Sequence, residues 1–281
     1  MILVTGSTGK VGSELVKWLR EEGTPFRGAF HSPEKAEKGR ASGLDTAVLD
    51  YARPETLPPA LAGVERLFLL TPPGSTRLEA AVVEAAKKAG VRRIVKLSVW
   101  GAEDEAFFFA REHRAIERIV EASGIPFTFL RPNGFMQTYF MYGATIKTQS
   151  AFYLPDRDAR WNLIDVRDIA SVAAKTLTEP GHEGKAYELA GPEALSNSEI
   201  AEKLSRVLGR TVTYVNITDD QFRAALLGIG MPQTLAEGVV DLHHVIVSGA
   251  FASATPWVER ITGSKPGTFD RFARDFAEVF R

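Results

Sequence analysis

The sequence contains no cysteine, which excludes disulfides, thiolate metal sites, iron–sulfur clusters and a cysteine nucleophile together. Net charge is nearly absent as well. With 34 Lys+Arg against 35 Asp+Glu the balance is −1, so no global field draws phosphate backbones or anionic lipid, and neither nucleic acid nor membrane is an expected partner. No apolar run approaches the ~18 residues of a spanning helix. The histidines, His31, His113, His182, His243 and His244, lack His-Glu-x-x-His or comparable spacing, so no metal site is expected. A Gly-x-Ser-x-Gly elbow and the Gly-Lys-Ser/Thr ending of a P-loop are both missing, which leaves a hydrolase triad without its anchor and argues against nucleotide-triphosphate hydrolysis. The apolar run after Met1 has no basic flank or cleavage-site pattern of a signal peptide. A cytoplasmic location is the expectation.

What is present has ordinary globular composition, 44% hydrophobic and 25% charged over 281 residues, enough for one large domain or two intimate ones. Apolar runs at 1–5, 26–30, 46–49, 66–70, 93–97 and 125–130 read as strands. Helical spacing separates most of them, as in Val11, Leu15, Trp18 and Leu19. Alternation of this kind predicts parallel strands with helices on both faces, a doubly wound sheet. After residue 132 the rhythm changes. Residues 133–160 show no clear period and mix Phe135, Tyr139, Phe140, Tyr142, Phe152 and Tyr153 with small polar residues, the composition of a pocket wall or lid. A helix is predicted over 165–177, a strand over 185–189, a capping box at Ser196 and Glu199 opening the next helix, a strand over 211–216, and helices beyond.

The segment Gly6-Ser7-Thr8-Gly9-Lys10-Val11-Gly12 lies between the first predicted strand and first helix. Unpaired amides and the positive end of a helix dipole suit a pyrophosphate there. Gly6 and Gly9 let the chain turn and approach the phosphate without an intervening Cβ, and Gly12 lets helix and strand pack closely. Lys10 reads either as a phosphate contact or as a solvated first-turn lysine. The expected fold class is therefore α/β, a Rossmann doubly wound parallel sheet over residues 1–132. A smaller substrate-binding α/β region over 133–281 is expected to pack intimately against it and interleave with its sheet. A site selective for NAD places an acid about 20 residues past the glycines. Here that place reads Ala29-Phe30-His31-Ser32-Pro33. Without a carboxylate, and with His31, Ser32, Lys35 and Arg27 as donors, the choice tilts toward NADP, NAD remaining open; Lys35 also reads as part of a solvated helical face. Asp50 and Tyr51 past the third strand are placed at the adenine, and Thr71, Pro72, Pro73 and Gly74 past the fourth at the nicotinamide ribose.

The glycine loop, Asp50-Tyr51, the run Gly124-Ile125-Pro126-Phe127-Thr128-Phe129-Leu130-Arg131, Val166-Arg167-Asp168-Ile169-Ala170 and the stretch from Gly181 to Gly191 together resemble the NmrA-like atypical short-chain dehydrogenase/reductase family. Within it the chain is most similar to the bacterial NAD(P)H:quinone oxidoreductase and triphenylmethane reductase type. The resemblance implies hydride transfer from a reduced nicotinamide to a small aromatic or quinone-like molecule; a homodimer is a further partner considered. Quinone reductases of the family often carry Arg where His31 stands. The Tyr-x-x-x-Lys of ordinary short-chain dehydrogenases is replaced by Phe109-Ala110-Arg111-Glu112-His113, and phenylalanine cannot donate a proton. His113 falls where related isoflavone-reductase-like members place a catalytic lysine, so it is a candidate acid or positioning group, the alternative being a helix-surface histidine. Ser98 stands near the short-chain catalytic serine and is counted among the cofactor-binding positions.

A quinone delocalises incoming hydride into a stabilised anion, so an aromatic pocket with modest hydrogen bonding suffices. Trp100, Phe107 to Phe109, Phe135 and Tyr139 are candidate walls, and Asn133 and Gln137 candidate catalytic donors to an acceptor oxygen. Two other activities resemble this family: a dinucleotide-sensing regulator acting through a protein partner, and an imine reductase of ergot-alkaloid type.

Overall fold

The computed structural model describes residues 1–70 and 76–281. The elements of the first half are β1 (Ile2–Val4), α1 (Lys10–Glu21), β2 (Phe26–Phe30), α2 (Pro33–Ala41), β3 (Thr46–Val48), α3 (Leu57–Leu61), β4 (Arg66–Leu69), α4 (Thr76–Lys88), β5 (Arg93–Leu97), α5 (Phe108–Ser123) and β6 (Phe127–Pro132). The second half continues with α6 (Gly143–Gln149), β7 (Ala151–Leu154), β8 (Arg160–Trp161), α7 (Val166–Thr178), β9 (Lys185–Leu189), β10 (Leu195–Ser196), α8 (Asn197–Leu208), β11 (Thr213–Asn216), α9 (Asp219–Gly228), α10 (Gln233–Val247), α11 (Trp257–Thr262) and α12 (Phe269–Asp275).

Among the described residues, seven strands form one sheet in the order β3-β2-β1-β4-β5-β6-β9, every neighbouring pair parallel. The order reverses at β1, and a reversal of that kind opens a crevice beyond the carboxyl ends of the strands. Strand alternation assigns each side chain to a layer. Ile2 and Val4 join Leu15 and Leu19 of α1 and Ile169 and Val172 of α7 in one cluster. Leu3 and Ile94 face the other way, onto Leu61 of α3, Val82 of α4 and Ile116 of α5. β9 and α7 come from the second half, so chain beyond residue 132 completes both the sheet and one helical layer.

Residues 133–160 carry more order than their irregular pattern suggests. A 3-10 segment over Met136–Tyr142 leads into α6, β7 and β8. Tyr139 and Phe152 are wholly buried in a third cluster with Phe269, Phe272 and Phe280. No single helical or strand period shows because a short 3-10 segment and short strands succeed one another before any repeat is established. α5 starts at Phe108 because Asp241 of α10 accepts the Phe108 N–H at 2.7 Å, a cap supplied from far along the chain.

Candidate active site

The glycine turn bridges β1 and α1. Gly6 has φ +63°, and a Cβ on Gly12 would stand 2.1 Å from the Gly6 carbonyl oxygen, so only glycine lets the helix start this close to the strand. The Gly9 N–H closes the turn on the Gly6 carbonyl at 2.8 Å. Gly9 is also the N-cap of α1, with extended backbone, no side-chain cap and no acid in the first turn. Uncapped amides at the positive end of a twelve-residue helix are donors awaiting an anion, and a dinucleotide pyrophosphate fits them. A cleft of 410 Å³ opens beside them, lined by Gly6, Thr8, Gly9, His31, Lys35 and Tyr51 among others. Among the described residues no carboxylate lines it.

The other cofactor positions of the sequence reading divide by what their side chains do. His31 and Lys35 are exposed on the cleft rim. Ser32 caps α2, its hydroxyl accepting the Lys35 N–H at 3.3 Å, and Ser7 donates to the Val4 carbonyl at 2.7 Å; both shape the backbone. Val11 is core, so only its main chain can meet a phosphate, and Lys10 lies exposed outside the cleft lining. The Asp50 carboxylate is turned back onto the Ala52 N–H at 3.0 Å, forming a local turn rather than lining the cleft. The Tyr51 hydroxyl donates to the Leu70 carbonyl at 2.8 Å, and burial pushes its pKa up. Thr71, Pro72, Pro73 and Gly74 lie outside the described residues.

Leu70 lines a second cavity too, of 400 Å³, so the two spaces are neighbours that share this residue just past β4. Phe107, Phe109, Phe135, Trp161 and Phe251 wall it, and Ser98 and His113 supply polar groups. Of the two amides expected to serve an acceptor oxygen, Asn133 lines this cavity and Gln137 does not, and both also bond loop groups. Asn133 donates to the Phe251 carbonyl at 2.9 Å and accepts the Gly134 N–H at 2.7 Å. Gln137 donates to Asp165 at 2.9 Å and accepts the Val166 N–H at 3.1 Å, stitching the 3-10 segment to the start of α7. Buried loop backbone must be satisfied, and these side chains do it. Trp100 and Tyr139 are core rather than wall: the Trp100 indole donates to the Ala250 carbonyl at 3.1 Å, and Tyr139 donates to Asn197.

Two of the polar groups lining the cavity are backed by buried charged partners. Ser98 donates to Glu117 at 2.6 Å, and Glu117 is clamped by Arg131 through two bonds of 2.9 and 2.7 Å. With its hydrogen given to a carboxylate, the Ser98 hydroxyl can only accept from a ligand. His113 is half-buried at the cavity wall, its Nδ1 3.3 Å from Lys96 Nζ. Burial, with the Lys96 charge beside it, holds His113 well below the ordinary histidine range, so the imidazole is neutral at neutral pH. The sequence reading missed Lys96, Glu79, Trp161, Leu242 and Phe251, and met Arg131 only as the end of the run from Gly124. Among those missed, Lys96 left a trace as a charge amid the apolar run Arg93-Ile94-Val95-Lys96-Leu97.

The NmrA-like family matches residues 1–267. An NAD(P)H azoreductase of Xenophilus azovorans is 40% identical over 283 residues, covering 100% of this chain and 99% of that protein. A (4-alkanoyl-5-oxo-2,5-dihydrofuran-3-yl)methyl phosphate reductase of Streptomyces griseus is 36% identical, with 100% and 99% covered. The crystal structure of an Escherichia coli NADPH-dependent quinone oxidoreductase, complexed with NADPH, superposes with a TM-score of 0.89 at 29% identity over 100% of both chains. Strand order, glycine turn and full-length similarity converge on one conclusion: the chain belongs to the NmrA-like family.

Proposed function

We infer that this chain is an NAD(P)H-dependent reductase that delivers hydride to a quinone or similar conjugated acceptor. The observation that carries the reading is an anion-ready cleft and an aromatic cavity lying side by side at Leu70. Gly6, Gly9 and the first-turn amides of α1 hold the pyrophosphate, His31 and Lys35 face a 2′-phosphate, and Tyr51 closes the cleft beside the adenine half. When bound, the dinucleotide supplies hydride. The aromatic walls exclude water and orient a flat acceptor, which raises the effective concentration of the reacting pair. His113 is the group nearest in chemistry to a proton donor at the acceptor oxygen. Residues 1–132 supply the dinucleotide cleft, and residues 133–281 supply Trp161, Leu242 and Phe251 to the acceptor side. A cytoplasmic location, where reduced nicotinamide is available, belongs to the same reading.

The test mixes purified protein with NADPH or NADH and a panel of quinones, azo dyes, triphenylmethane dyes and imines, following loss of reduced-nicotinamide absorbance. Turnover of the quinones or dyes is the expected outcome. Tight dinucleotide binding with no acceptor consumed would overturn the reductase reading in favour of a sensor.

A further inference from the structure

Lys96 sits mid-strand in β5, on the face that its neighbour Ile94 presents to α4 and α5, and it is completely buried. An ammonium taken from water into such a layer costs several kcal/mol unless it is paired and hydrogen-bonded. Its surroundings answer that cost in a directed way. Nζ donates to the Leu97 carbonyl at 2.5 Å and lies 3.3 Å from His113 Nδ1. Glu79 of α4, itself 2% exposed, stands 3.0 Å away as counter-charge, yet its Oε1 takes no aligned hydrogen bond. The carboxylate therefore balances the ammonium while a hydrogen is left aimed at the imidazole. Nothing in packing calls for a Lys–Glu pair here, where the surrounding cluster is apolar, mostly Leu, Val and Ile. A charge that breaks its own strand's pattern beside a cavity marks function more often than stability.

We propose that Lys96, held by Glu79, is a positioning and proton-relay residue that fixes His113 as the Nε2–H tautomer facing the acceptor. An ammonium has donors only. Lys96 therefore obliges Nδ1 to accept, and the proton of the neutral ring sits on Nε2. His113 lines the acceptor cavity, and among the described residues Nε2 has no hydrogen-bond partner. The acceptor gains hydride at carbon, its carbonyl π bond breaks, and the electron pair moves onto oxygen. That oxygen takes the Nε2 proton; Nδ1 takes one from Lys96 Nζ; the neutral amine regains a proton from solvent. The net uptake is one hydride and one proton, with the imidazole ending neutral and its proton moved to Nδ1 until the ring exchanges back. The inference rests on the reductase reading and adds a demand that hydride transfer alone does not make.

A triphenylmethane cation separates the two, because hydride at its central carbon neutralises it and no proton is needed, whereas a quinone needs one. Lys96→Met is expected to lower the ratio of quinone to cationic-dye turnover at least about tenfold and to change the solvent deuterium isotope effect on quinone reduction alone. Because Lys96→Met strands a buried carboxylate, the double variant Lys96→Met/Glu79→Gln is measured beside it and is expected to show the same ratio. Nitrogen-15 NMR of the imidazole in the protein without dinucleotide supplies a readout independent of turnover. Wild type should show one tautomer with protonated Nε2, and the Lys96 variants a tautomer mixture. A wild type that reduces neither acceptor overturns the reductase reading and the relay with it. If wild type is active but the variants lose both acceptors equally, or keep the Nε2–H tautomer, the relay alone falls.

Discussion

The two cavities that share Leu70 are built by opposite means. The dinucleotide cleft takes its anion-holding groups from the main chain of one short turn: Gly6, Gly9 and the uncapped start of α1 lie within seven residues, with His31, Lys35 and Tyr51 lining the remainder. The acceptor cavity is side chain, drawn from β5, α5, the segment after β6, β8, α10 and the loop holding Phe251. A backbone site admits few sequences and is insensitive to the rest of the protein. A side-chain site of scattered origin can change its walls one at a time while the fold stands, which lets one family serve several acceptors.

If that contrast holds, damage to the glycine turn must abolish dinucleotide binding for every acceptor. Gly12→Ala drives a Cβ to within 2.1 Å of the Gly6 carbonyl, so the turn cannot close on the helix. We expect at least about a hundredfold rise in NADPH Kd with a lowered melting temperature. Gly9→Val is the gentler partner: its Cβ would meet the Gly6 carbonyl at 3.2 Å, so circular dichroism should show a folded chain whose calorimetric titration gives no heat. Unchanged affinity would remove the loop from the site. Lys35→Ala, on the cleft rim, should raise NADPH Kd about tenfold at low salt while leaving NADH binding alone, the difference shrinking as salt rises. Equal losses for both dinucleotides would assign Lys35 to the solvated face of α2.

On the other side of Leu70 the expected effects are smaller and confined to the acceptor. Phe109 packs edge-on against Phe108 at 5.3 Å and lines the cavity while only partly buried. Phe109→Ala should raise the quinone KM about fivefold, some 1 kcal/mol of aromatic contact, without altering NADPH Kd. A parallel shift in both constants would mean that the two cavities are not separable.

The same contrast governs what could be read from the sequence. Gly6 to Gly12, the first strands and Tyr51 were legible because local spacing alone specifies a turn between a strand and a helix, and position past a strand end specifies the crevice. Trp161, Leu242 and Phe251 carry no local mark of proximity to His113, and only the folded arrangement of β8, α10 and the following loop brings them together. Asn133 and Gln137 show a related limit, since only Asn133 lines the cavity. An amide in an irregular segment looks wholly free to bind a ligand until the surrounding loops' needs are counted, and here those needs take the carbonyl oxygen and one N–H of each side chain. Lys96 was anomalous in sequence, but pairing it with Glu79 and His113 requires the stacking of α4 and α5 over β5.

One effect leaves binding and turnover untouched and concerns how the second half is tied down. Asp168, in the first turn of α7, accepts the Gly267 N–H at 2.8 Å and so holds the chain between α11 and α12 against the layer beneath the sheet. Burial foremost pushes its carboxyl up to about 6; the Gly267 hydrogen bond opposes the shift, the Asp165 charge adds to it, and Arg167 and Arg271 oppose it. A carboxyl raised above its ordinary 3.8 binds its proton better folded than unfolded. Its stabilisation is full below the ordinary value and is lost as pH climbs through about 6. Discounted for partial exposure, the loss is on the order of 2 kcal/mol. Asp168→Asn keeps an acceptor for Gly267 without the charge, so its melting temperature should exceed wild type by about 2–4 °C near neutral pH and converge with it near about pH 4. Neither NADPH Kd nor quinone turnover should move, since Asp168 touches neither cavity. Melting curves that stay parallel across that range would show that Asp168 titrates normally; a changed turnover would show that anchoring of the second half reaches the acceptor walls, which the separation of the two cavities forbids.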